Sequence, residues 1–183
     1  MNRLIGLMTL KFLLVISLTL VISPLVRAAI LSPNYDFTMK TLEPFFPGGS
    51  LEKLKSDKTI TSDIFEDNGN HKIFKVRLKK TNYALDIFIQ TMDDKITDMF
   101  VRMPQHFNHD LFLTELQKTY KKQDKYVRKD LSALYVWKER DGNNILYHGS
   151  CSISCFPMFI EVVSIEKSVV PLYQKFNEAL PIW

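Results

Sequence analysis

Apolar and polar residues alternate with a period of two through much of this chain, and in a few places the period lengthens to that of a helix. Phe74, Val76 and Leu78 alternate with Lys75, Arg77 and Lys79, the pattern of a strand with one buried face and one solvated basic face. Tyr83, Leu85, Ile87 and Ile89 repeat it after a turn at Thr81-Asn82. Met99, Val101 and Met103 repeat it within Lys95–Met103, after a turn at Asp93-Asp94. Asp67-Asn68-Gly69-Asn70 and Asp141-Gly142-Asn143-Asn144 predict hairpin turns, because these residue types tolerate positive φ. Leu131–Glu139, Ile145–His148 and Met158–Ile165 predict further strands.

Helical spacing is confined to three places. Ser50 is placed to cap a short helix from Leu51 to Ser56, with Leu51 and Leu54 on its inner face. Asn108 caps a longer one running to Lys121, with Asp110 near its positive end and Phe112, Leu113, Leu116 and Tyr120 along one stripe. Ser168 starts a third, with Pro171 in its first turn and Leu172, Phe176 and Leu180 spaced by four. Before all of these, Phe45-Phe46-Pro47-Gly48-Gly49 predicts a turn that tucks its aromatics into the core. Tight turns exclude parallel pairing. The expected fold is therefore α+β: an antiparallel sheet of about six to seven strands, two main helices packed on one face, and a short N-terminal helix.

The start of the chain is of another kind. Arg3 and Lys11 precede the uncharged run Phe12–Ile22, Pro24 breaks it, and Val26-Arg27-Ala28 suits a cleavage site, which together predict an export signal over 1–28 and a single domain over 29–183. The uncharged stretch from Phe12 to Val26 is short of the roughly 20 residues a spanning helix needs. Three of the 24 basic residues lie in this segment and none of the 20 acidic ones does, so the remaining domain carries 21 against 20, a net charge of +1. A near-neutral exported domain is a poor nucleic-acid binder, and the expected location is the periplasm or the exterior.

Candidate chemistry is sparse. Cys151 and Cys155 lie in Gly-Ser-Cys-Ser-Ile-Ser-Cys-Phe-Pro. Extended, four residues span roughly 13 Å, beyond the roughly 4.4–6.8 Å between α-carbons that a disulfide requires, so a bond demands a curled segment. An oxidising compartment favours that bond. His148 supplies the other reading, a copper or zinc site of His148, Cys151 and Cys155; otherwise no cofactor is expected. The Cys-x3-Cys spacing resembles that of thioredoxin-like copper chaperones, which place their cysteines before a helix where this chain predicts a strand. Lys118, Lys121, Lys122, Lys125, Arg128 and Lys129, with Asp124 and Asp130, give a net +4 over 118–130, a patch suited to an anionic surface or acidic partner. No Gly-x-Ser-x-Gly, His-Glu-x-x-His or phosphate-binding glycine loop occurs. The expected function is a small exported, non-catalytic binding or scaffolding module of the cell envelope. Metal handling and hydrolysis of envelope polymers are the alternatives.

Overall fold

The computed structural model describes residues 37–56, 60–104, 107–130, 132–149, 158–166 and 170–178. Two 3-10 turns, Met39–Thr41 and Glu43–Phe45, lead into helix α1 (Leu51–Lys55). Strands β1 (Ile60–Asn68), β2 (His71–Lys79), β3 (Ala84–Met92) and β4 (Lys95–Arg102) follow, then helix α2 (His109–Tyr120). Strands β5 (Lys125–Lys129), β6 (Ser132–Arg140), β7 (Asn143–His148) and β8 (Phe159–Ser164) precede a last turn of helix, α3 (Leu172–Lys175). All eight strands join one antiparallel sheet in the order β1-β2-β3-β4-β8-β7-β6-β5. Two meanders thus meet at the centre, β4 against β8.

The turns follow from residue type. Gly69 (φ 74°) closes β1–β2, and Asp93 and Asp94 (φ 50° and 59°) close β3–β4. Asp141 and Gly142 (φ 50° and 76°) close β6–β7. In the last two, two successive left-handed residues give the turn whose twist matches the flanking strands.

One face of the sheet carries the main core. Phe74, Val76, Leu85, Ile87, Met99, Val101, Trp137, Ile145, Tyr147 and Val162 meet Phe112 and Leu116 of α2 there, with Phe37, Met39, Leu42 and Phe45 from the lead-in. Asn108 caps α2, its side-chain oxygen accepting from the Asp110 and Leu111 amides. Ser50 makes no such cap: it is bridged to Lys95 as an extension of the sheet, and α1 starts behind it.

The opposite face is also covered, which the alternation did not predict. A row of directly paired residues crosses it from edge to edge: Asp63, Lys75, Phe88, Phe100, Glu161, Leu146, Val136, Lys125. Leu172 packs on this face against Ile73, Phe88, Phe100 and Phe159, with Phe176 and Tyr173 around it. The expected fold therefore needs three corrections. The sheet has eight strands, because the polar stretch before Ser132 contains β5. Among the described residues there is one main helix, since α3 is a single turn that ends where Phe176 turns into the aromatic cluster and Asn177 adopts φ 53°; the expected ends of that helix, Ser168 and Leu180, lie outside the described residues. The two helices lie on opposite faces, and the molecule is mainly β.

Candidate functional site

The face under α3 holds two carboxyl groups in an apolar setting. Asp98 is the last polar side chain of β4 before Phe100, and Glu161 stands amid Phe159, Ile160, Val162 and Val163 on β8. The β4–β8 register makes them diagonal neighbours on one face, since Asp98 is opposite Val163 and Phe100 is opposite Glu161. Both are completely buried. Asp98 Oδ2 accepts from the Leu172 amide at 2.8 Å, and Glu161 Oε1 accepts from the Tyr173 amide at 3.1 Å. The two acids thus hold the first two N–H groups of α3, which have no partner within so short a helix.

Among the described residues the other oxygens, Asp98 Oδ1 and Glu161 Oε2, have no amide, hydroxyl or cationic partner, and the side chains hydrogen-bond each other. Two carboxylates cannot do this without a proton between them. Burial pushes Asp98 up from 3.8 to about 7. Burial raises Glu161 well above the usual carboxylate range, and the neighbouring Asp98 charge raises it further. The pair therefore shares a proton. The remaining contacts hold the same segment: Gln90 Nε2 donates to the Val170 carbonyl at 3.2 Å, and Gln90 Oε1 bonds His71 Nε2 at 2.9 Å. Lys175 Nζ lies 3.4 Å from Glu66, and Arg102 Nε donates to Glu178 at 2.6 Å. Arg102 also stands over the Phe100 and Phe176 rings.

Beside this clamp runs a groove of about 530 Å³. Val136, Leu146, Val163 and Ile165 line it from the sheet, Pro171, Tyr173 and Gln174 from α3 and its approach, and Lys138, Glu139 and Asn144 from its rim. Its size is that of a small-molecule site. The clamp fixes the position of the α3 residues that form one of its walls.

The residues singled out in the sequence are dispersed. His148 faces the second side of the sheet, buried, with Nε2 2.5 Å from Ser132 Oγ and its ring stacked on Phe159. Cys151 and Cys155 lie outside the described residues. His109 is on α2, its Nδ1 2.7 Å from Tyr147 Oη, and burial lowers its pKa. The basic stretch divides: Lys118 is on α2, 4.0 Å from Glu115, and the Lys121 carbonyl accepts from Trp137 Nε1. Lys122 lies in the connection, whereas Lys125, Arg128 and Lys129 belong to the edge strand β5. Asp93 and Asp94 are turn residues, separated in role from Asp98.

Sequence reasoning missed the Asp98–Glu161 pair, yet a signal was present. Each acid has an aromatic two residues away on its own face, Phe100 for Asp98 and Phe159 for Glu161. A carboxyl on a face that is otherwise apolar is a buried carboxyl.

No family model, curated protein or solved structure matches this chain, so its functional reading rests on the site. Among the described residues, no helix is long and apolar enough to cross a membrane.

Proposed function

We propose that this chain is an exported, non-catalytic binding module whose ligand lies in the groove beside α3. The observation that carries the reading is the composition of that groove: an apolar floor of Val136, Leu146 and Val163 under a polar rim bearing Lys138, Glu139 and Gln174. Such a surface recognises an extended apolar body by burial, with Lys138 as the rim cation that would meet an acidic end, which describes an acyl chain with an acidic head. The two enclosed acids support a non-catalytic role, since their inner oxygens are occupied with the α3 amides and each other and reach no substrate while α3 is seated. Export remains the reading of the first 28 residues, and it makes a Cys151–Cys155 disulfide the expected state of that pair. Labelling without reductant then leaves both thiols unreacted; two reactive thiols contradict it.

The test is a fluorescence titration with cis-parinaric acid, an acyl chain with a carboxylate end. Saturable enhancement with one site per chain is expected. Ile165→Glu alters a half-exposed residue of the groove wall and is expected to weaken binding by about tenfold or more, the ratio that 1.4 kcal/mol represents. Lys138→Glu weakens it less. Absence of saturable binding, or equal binding by both variants, refutes the reading.

A further inference from the structure

The sheet ends in two strands of opposite charge. β1 carries Asp63, Glu66 and Asp67 and no cation, whereas β5 carries Lys125, Arg128 and Lys129 and no anion. Among the described residues neither pairs with a strand on its outer side, so each presents an edge of backbone donors and acceptors. β1 is also the more apolar edge than its charge suggests: Ile64 is 59% and Phe65 56% exposed, and Tyr126 on β5 is 46% exposed.

We propose that copies of this chain associate head to tail, β1 of one copy adding to β5 of the next. Three features of the fold agree with this. Eight strands alternate in direction, so a copy displaced across the sheet brings its β1 antiparallel to β5. The faces match as well. The row that runs from Asp63 to Lys125 puts Asp63 and Lys125 on one face, and by the same pairings Glu66 and Lys129 share that face while Ile64 and Tyr126 share the other. Finally, one register satisfies both faces. With Ile64 opposite Tyr126, the bulge between Ile64 and Glu66 sets Glu66 opposite Lys125, and Asp63 falls diagonally between Lys125 and Lys129.

Charged edges ordinarily guard a sheet against such pairing. Here they guard only against like edges: two β5 strands bring three cations against three, and two β1 strands three anions against three. Only the unlike pairing is attractive, and a heterologous contact of that kind propagates rather than closing as a symmetric dimer. β5 is only five residues long, so each contact is weak and the assembly depends on concentration.

Sedimentation velocity on the unmodified chain tests this first. The average sedimentation coefficient is expected to rise with concentration in low salt. It returns to the monomer value near 0.5 M salt, where the screening length is about 4 Å. A chain that stays monomeric at every concentration overturns the proposal, and so does association that salt leaves unchanged. The second test exchanges the charges. Asp63→Lys/Glu66→Lys makes both edges positive and Lys125→Glu/Lys129→Glu makes both negative, so each variant alone is expected to be monomeric. An equimolar mixture is expected to associate again, a recovery that requires both variants to be folded. Variants that fold, as judged by circular dichroism, and fail to associate on mixing overturn the pairing.

Discussion

β1–β4 and β5–β8 are both four-stranded meanders whose last strand lies at the centre of the sheet, and both lay an apolar surface on the face away from α2. They differ in what meets that surface. Over β3 and β4, α3 delivers Leu172 and Phe176 into Phe88, Phe100 and Phe65, whose rings sit 4.8–6.5 Å apart. Over β6–β8, Leu134, Val136 and Leu146 pack with Val163 and Tyr173 and give way to the groove. The seam between the halves is the Asp98–Glu161 pair. A helix of one turn cannot hold itself in place by propensity. It is held by two buried acceptors on one side and by aromatic packing on the other, and where both end the groove begins.

The comparison breaks most severely at the aromatic side. Phe100 is fully buried and touches rings of β3, β8 and α3, so Phe100→Ala is expected to cost about 3–5 kcal/mol, read from urea denaturation. Next comes the seam. Asp98→Ala leaves the Leu172 amide without its acceptor and is expected to cost about 1–3 kcal/mol. Smallest is the groove wall, where Ile165→Ala changes a half-exposed side chain and is expected to stay within about 0.5 kcal/mol. A groove-wall cost equal to that of Phe100→Ala contradicts the distinction between the halves.

The seam also titrates. A carboxyl whose pKa is higher in the folded than in the unfolded chain binds its proton more tightly when folded. Its stabilising contribution is whole below the unfolded value and is lost as pH rises through the folded one. For Asp98 that window runs from 3.8 to about 7, and Glu161 shifts in the same direction. His109, lowered by burial, has the opposite sense: its contribution is present above 6.5 and is lost as pH falls. His71, which reaches the seam through Gln90, is present in parent and variant alike. Thermal melts between pH 4.5 and 7.5 are therefore expected to show a lower Tm at the upper end, and Asp98→Asn/Glu161→Gln flattens that slope. A double variant with the parent's slope excludes the shared proton.

Much of the first meander was legible because β2 and β3 alternate cleanly over the α2 core: Phe74, Val76, Leu78, Leu85, Ile87 and Ile89 are all buried as their spacing requires. The turns at Gly69, Asp93-Asp94 and Asp141-Gly142 were legible for a local reason, the tolerance of positive φ. β5 was hidden because an edge strand buries little: only Val127 among its residues is apolar and not aromatic, and its charges read equally well as a solvated loop. α3 was overestimated because Leu172 and Phe176 do fall on one side, as a helical stripe would place them, but the chain needs only one turn to bring both into the aromatic cluster. The burial of each acid left a trace in its aromatic neighbours, but their pairing was not legible, because Asp98 and Glu161 are far apart in the chain and meet only when β8 inserts beside β4.

Period, turn chemistry and capping are local quantities, so the sequence by itself determined the strands of strong alternation, the Asn108-capped helix and the antiparallel character of the sheet. Strand order, the covering of the second face and the pairing of Asp98 with Glu161 are properties of the assembled sheet. They were decided only in the tertiary structure, because the burial that raises a carboxyl's pKa, and the edge that a charged strand presents, exist only after distant segments have packed together.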